Sequence, residues 1–206
     1  MDSNQAYKNR ALKDLEGKWG TSAIATLIYM LISGGVSYVF TAPMGNNLGL
    51  SFSTQGVWTL LCLPLLWGYA VYFLNLIRQQ DLRVERLFDG YKDFIRIFLA
   101  GFLYNLAVAI GFIILFVPGI ILALMFSQAA FILKDDKEIG AVEALKQSQQ
   151  MMSGHKMQLF WLGLSFIGWG ILCLFTLGIG FLFLLPYMQT TLAHYYEDLK
   201  KEQTLY

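Results

Sequence analysis

Charged and apolar positions are segregated along this chain. No Asp, Glu, Lys or Arg occurs from Trp19 through Ile77, from Ile97 through Leu133, or from Met157 through Tyr196. The helices of a water-soluble domain carry a polar face that recurs every three or four residues, and its strands alternate. These stretches do neither. A helix needs about 20 apolar residues to cross a hydrocarbon core roughly 30 Å thick. The stretches are 59, 37 and 40 residues long, so each holds two crossings and a turn. Breaks in the pattern predict spans at 21–40, 57–77, 96–116, 118–134, 157–175 and 177–196.

Turn-forming residues mark the breaks. Between the first two spans lies the charge-free segment Thr41–Gly56, with Pro43, Gly45, Asn46, Asn47 and Gly49, read as a loop. Between the third and fourth spans the only break is Val117-Pro118-Gly119. Proline suits the first turn of a helix, where its missing N–H costs nothing. Between the fifth and sixth it is Leu177-Gly178-Ile179-Gly180. The predicted architecture is all-α, a single integral membrane domain over residues 1–206 built from three helical hairpins.

Charge then sets the orientation. All fifteen Lys and Arg fall in the N-terminal tail, the 78–96 segment, the 134–156 segment or the C-terminal tail. None lies in an outer turn, and the positive-inside rule places every charged segment, with both termini, in the cytoplasm. Composition agrees: 56% of residues are hydrophobic and 14% charged, against roughly 25% charged in soluble domains. The first eighteen residues are polar and the apolar run after them is too long for an h-region, so no cleavable signal peptide is expected. A net charge of +1 makes no case for nucleic acid. Cys62 and Cys173, both in apolar stretches, do not form a disulfide framework.

A short pattern precedes each hairpin: Leu15-Glu16-Gly17-Lys18, Phe88-Asp89-Gly90-Tyr91-Lys92 and Met152-Ser153-Gly154-His155-Lys156. It reads as a short cytoplasmic amphipathic helix closed by a C-cap glycine, with Lys at the headgroups. The returning helices align at a constant spacing of 59, matching Tyr69, Gln128 and Tyr187. In the third short helix Ile139, Val142, Leu145 and Met152 fall near one face, to lie on the membrane or pack beneath the bundle.

Those motifs carry a resemblance. Gly17-Lys18-Trp19, Leu87 to Tyr91, Val117 to Ile121, the run Ala144, Ser148, Met152, Gly154, Lys156, then Leu164 to Trp169, Leu177 to Gly180 and Pro186-Tyr187 together resemble a bacterial integral membrane family, domain of unknown function number 975. The resemblance implies a six-helix protein of the bacterial cytoplasmic membrane and brings no activity with it.

Candidate chemistry is sparse. Ser165 and His194 invite a hydrolase reading, but their predicted depths differ by about two helical turns, too far for one to activate the other. Two His and two Cys offer no spaced metal-ligand set. The spans hold no ionisable acid or base of the kind ion-coupled transport uses. There remains a polar layer of Asn105, Ser127, Gln128, Gln189, Thr190 and Thr191, with Tyr69 and Tyr187 at corresponding repeat positions. It would either line a pocket for a lipid headgroup or small amphiphile, or tie helices together by hydrogen bonds, and the second reading is preferred. The five Trp read as interface anchors or packing residues. Ser33, Gly34, Gly35, Ser37, Ala107 and Gly111 suit close contact between helices, within the chain or with a second copy. The expected function is non-enzymatic and cofactor-free, acting through lipid or protein partners in envelope maintenance, assembly or regulation. The alternative is a channel or carrier for a neutral or amphipathic solute.

Overall fold

The structure, a computed structural model, describes residues 2–36 and 48–204, and for residues 48–53 and 204 the backbone alone. Regular structure among the described residues is helical throughout. In chain order the α-helices are α1 (Asn4–Leu15), α2 (Trp19–Met30), α3 (Leu48–Leu61), α4 (Leu63–Ile77), α5 (Phe94–Ile114), α6 (Phe116–Met125), α7 (Ala129–Asp135), α8 (Ala141–Met151), α9 (Lys156–Leu164), α10 (Ile167–Phe175) and α11 (Phe181–Thr204). A π-helical turn, Leu31–Gly35, extends α2, and a 3₁₀ helix, Val84–Tyr91, precedes α5. Among the described residues four stretches are long and apolar enough to cross a membrane: Thr54–Ile77, Phe94–Ile114, Phe116–Asp135 and Lys156–Phe175; the end of the predicted 21–40 span lies outside the described residues.

The central helix is α4. From Leu63 to Leu76 every residue except Leu66 and Trp67 is buried, as expected for a helix apolar on all sides. On one flank Tyr69, Tyr72, Phe73 and Leu76 pack with Leu15, Ala25 and Leu87. On the other, Ala70 and Leu74 join a larger core with Tyr7, Phe131, Leu159, Tyr195 and Leu199.

Two glycines let the 3₁₀ helix lie against α4. A Cβ on Gly68 would sit 2.0 Å from the Leu87 carbonyl oxygen, and one on Gly90 would sit 2.2 Å from that of Pro64. Gly90 is therefore a close-approach glycine, not the C-cap that the repeat pattern predicts, and the element before it is 3₁₀. Gly17 (φ +74°) and Gly154 (φ +82°) do take the left-handed conformation of a C-cap, after α1 and α8.

The turns are tighter than the sequence pattern implies. Leu115 alone, in extended conformation, separates α5 from α6, and Pro118 falls inside the first turn of α6. Bare glycine backbone permits this close approach, since a Cβ on Gly111 would lie 2.9 Å from the Gly119 Cα and one on Gly119 would lie 2.5 Å from the Phe112 ring. The turn at Leu177 and Gly178 uses positive φ at both residues. Part of the predicted first loop is helical: Leu48 to Gly56 belongs to α3. The turn formers that motivated a loop concentrate at 43–47, and these, with Ser37, lie outside the described residues. The 118–134 and 157–175 spans each contain an interruption, at Phe126–Gln128 and at Ser165–Phe166. The helix containing 181–196 runs on to Thr204, well past the predicted end.

Charged segments meet at one end of the bundle. Arg78, at the end of α4, donates both terminal nitrogens to Asp135, at 2.5 and 2.9 Å, and its Nε to Glu197 at 2.6 Å. Tyr196 Oη and Lys200 Nζ also donate to Asp135. The far ends of the helix pairs are apolar and bare. Ile113 is 83% exposed, Phe175 82% and Leu177 95%.

Candidate functional site

The interruption at Phe126–Gln128 is the most elaborated polar feature inside the bundle. A break frees backbone groups that a continuous helix would satisfy, and buried ones must find partners. Ser148, on α8, supplies two bonds at once. Its Oγ donates to the Met125 carbonyl at 2.9 Å and accepts from the Gln128 N–H at 3.1 Å. Ser127 Oγ donates to Leu124 O at 2.8 Å and accepts from Gln128 Nε2 at 2.8 Å. The Ala130 carbonyl takes the Trp67 indole N–H at 2.9 Å. Gln128 Oε1 is buried and has no partner among the described residues.

Beside the break lies a cavity of about 280 Å³ bounded by α4, α5, the break with α7, and α11. Its size is at the lower edge of the roughly 300–1,000 Å³ usual for small-molecule sites. The void has a steric origin. Ala70, Ala100, Gly101, Ala129 and Ala130 line it, so three of the elements around it, α4, α5 and α7, bring too little side chain to fill the centre. Leu63, Leu66, Ile97, Phe126 and Leu192 make the wall apolar, and Tyr104, Asn105, Ser127 and Gln189 supply its polar points. Among the described residues no carboxylate, amine, guanidinium, imidazole or thiol lines it. Such a chamber can hold an apolar segment carrying an uncharged hydrogen-bonding group.

The predicted polar layer is thereby divided. Asn105, Ser127 and Gln189 line the cavity. Gln128, Thr190 and Thr191 are fully buried in packing. The two threonines donate to carbonyls one turn back, Pro186 and Tyr187, at 2.8 and 2.7 Å, and Asn105 does the same to Gly101 at 2.8 Å. Tyr69 Oη bonds to Thr26 Oγ1 at 2.9 Å, and Tyr187 packs edge-on against Phe166. Sequence reasoning missed the part played by Ser148. The signal was there: Ala141, Ala144, Leu145, Ser148 and Met151 share the buried face of α8, while Val142, assigned to that face from the pattern, is exposed. α8 therefore packs beneath the bundle.

Ser165 and His194 have separate partners. Ser165 Oγ donates to Leu162 O at 2.5 Å, and His194 Nε2 lies 2.8 Å from Asp14 Oδ2. The second interruption is held from outside by α1. Lys8 Nζ donates to the Ser165 carbonyl at 3.2 Å and lies 4.5 Å from the centre of the Phe166 ring. Burial pushes the Lys8 amine below its ordinary value. The same helix is strapped to α11 by Arg10, whose two terminal nitrogens reach Asp198 at 3.3 and 2.7 Å. Its Tyr7 ring packs edge-on against Tyr195, and burial, with Asp198 nearby, pushes the Tyr7 phenol up to about 12. Cys62 and Cys173 are both buried and free.

No curated protein and no solved structure matches the chain. Residues 103–203 match the model of a family described as Protein of unknown function (DUF975). The matched stretch contains the break at Phe126–Gln128, Ser148 and the α11 wall of the cavity; the Gly17-Lys18-Trp19 and Leu87–Tyr91 motifs lie outside it. Residues 103–203 of this chain are thus a domain of unknown function 975.

Proposed function

We propose that this is a six-span protein of a bacterial cytoplasmic membrane, its three hairpins opening outward and both termini in the cytoplasm, that binds a neutral amphiphile from the bilayer. The cavity carries this reading, because its wall is mainly apolar and is dotted with four uncharged hydrogen-bonding side chains, Tyr104, Asn105, Ser127 and Gln189. Exposed Ile113, Phe175 and Leu177 at the hairpin tips support a lipid surround. The two spans beyond the four apolar stretches would be α2 with its π-helical extension and the first half of α11. The protein would act through its bound lipid or a protein partner, without catalysis. A carrier would need the polar layer to line a route. Thr190 and Thr191 are instead bonded back to their own helix, which favours a binding chamber.

Trp67, on the cavity wall, is a natural reporter. A protein keeping Trp67 alone, with the other four Trp changed to Phe, should be quenched by phosphatidylcholine brominated on its acyl chain. Ala130→Phe, which fills the chamber, should relieve that quenching. Quenching that persists unchanged in the filled variant would show that no chain enters the cavity.

A further inference from the structure

Where α5 begins, at the charged end of the bundle, two distant segments form a shallow notch lined by Lys92, Asp93, Phe94, Ile95, Arg96 and Lys137. Arg96 holds the segments together. Its guanidinium donates to the carbonyls of Leu133, Asp136 and Ile139 at 3.1, 2.9 and 3.2 Å. That satisfies the end of α7 and pins the loop after it. Asp136 Oδ1 folds the loop further by accepting from the N–H groups of Glu138 and Ile139. Lys137 is thereby set at the same notch as Lys92. Lys92 reaches Asp89 at 2.7 Å while its side chain stays 73% exposed. Lys137 is exposed and meets no carboxylate among the described residues. Three cations and one acid line the notch; Lys92 pairs with Asp89 and Arg96 lies 3.5 Å from Asp93, so its positive excess is carried by Lys137.

An apolar track leads away from it. Tyr91, Phe94, Phe98 and Phe102 stack in sequence, with ring centroids 6.3, 5.3 and 6.1 Å apart and planes within 21° of parallel. Tyr91 anchors the row by donating to Leu61 O at 3.0 Å. Within α5, Phe94 to Phe102 are eight steps of 1.5 Å, about 12 Å, and Tyr91 extends the row beyond them, so it runs most of the depth of one leaflet of a hydrocarbon core. Ile95, 81% exposed beside the lysines, adds apolar surface at the same end of the row.

We propose that the notch and the aromatic row bind one anionic phospholipid, its phosphodiester between Lys92 and Lys137 and one acyl chain along Phe94, Phe98 and Phe102. Positive charge at one end and an apolar track most of a leaflet long at the other match that molecule and no free anion. The inference rests on the bilayer reading of the helices and is independent of the cavity.

The test uses the full chain reconstituted in phosphatidylcholine vesicles doped with spin-labelled phosphatidylglycerol or spin-labelled phosphatidylcholine. The wild type should associate preferentially with phosphatidylglycerol. The preference should fall about fivefold for each of Lys92→Gln and Lys137→Gln. It should fall further in the double variant Lys92→Gln/Lys137→Gln, and stay unchanged in Lys13→Gln/Lys146→Gln, which removes the same two charges elsewhere. Phe98→Ala should weaken association of both labelled lipids while keeping their ratio. An undiminished preference in the Lys92/Lys137 variant, or an equal loss in the Lys13/Lys146 variant, would overturn the proposal. Circular dichroism confirms that each variant folds. The Trp67 quenching experiment uses neutral lipid only, so either site can fail without the other.

Discussion

Ser148 and Gln128 show how different two buried polar side chains can be. Ser148 closes the break by serving Met125 O and Gln128 N–H together. Removing its hydroxyl leaves both backbone groups buried and unpaired. Ser148→Ala should therefore cost about 1–3 kcal/mol. The Gln128 side-chain amide donates to its neighbour Ser127, and its Oε1 has no partner among the described residues. Gln128→Leu removes an unsatisfied acceptor along with one modest bond, and should change stability by no more than about 1 kcal/mol. Unfolding in mild detergent, followed by circular dichroism, compares the two. A larger loss for Gln128→Leu would mean that its amide serves something beyond packing. From sequence, Gln128 stood out because it sits alone in an apolar span. Ser148 sits in a polar helix, where a serine is unremarkable.

Among the elements, the contact of α4 with the 3₁₀ helix depends on bare backbone. Gly68→Ala and Gly90→Ala would push a methyl onto carbonyls 2.0 and 2.2 Å away, and backbone cannot swing aside as a side chain does. Each should cost at least about 1–3 kcal/mol. Gly163→Ala, inside α9 with nothing within 4 Å, should instead gain roughly 0.5–1 kcal/mol. Thermal midpoints in one detergent test the contrast in sign. The docking of α1 on α11 should depend on pH. Burial works against the Asp198 carboxylate, but the Arg10 hydrogen bonds outweigh it and hold the carboxyl below its usual value. That stabilisation is complete above the unfolded carboxyl value of about 4 and is lost as pH falls through the lower folded value. The buried Lys8 amine is held below its ordinary value, so its cost to docking is present at neutral pH and eases as pH rises. Amide exchange within Asn4–Leu15 should thus quicken, relative to α4, in acid. Arg10→Gln should remove that acid dependence.

At the scale of the whole molecule, contacts gather the charged segments at one end: Arg78 with Asp135 and Glu197, Arg10 with Asp198, and Arg96 with the 133–139 carbonyls. Six crossings follow if the bare hairpin tips reach the opposite face. In a background with Cys62 and Cys173 replaced, a cysteine at Gly178 should react with an impermeant thiol reagent added to intact cells. One at Gln147 should react only after the membrane is opened. Labelling of the Gln147 site in intact cells would break the topology.

The sequence alone determined the helical class, the long apolar stretches and the turn at Gly178, because helices of the length and polarity that suit a bilayer leave a pattern a linear reading records directly; the earlier break, read at Val117 to Gly119, falls instead at Leu115, with Pro118 inside the first turn of α6. It also picked out Asn105, Ser127 and Gln189 as polar positions in apolar surroundings. Only the tertiary structure decided which of the six polar candidates face open space and which bond back to their own helix, since helical period is the same in both cases. The cavity itself was not legible. It arises where small residues from α4, α5 and α7 converge, and such convergence depends on the register of helices far apart in the chain. The ion-pair network of Arg78 and the notch of Lys92 and Lys137 were hidden for the same reason. Each joins segments that stand dozens of residues apart in sequence, and only packing brings them within a few ångströms.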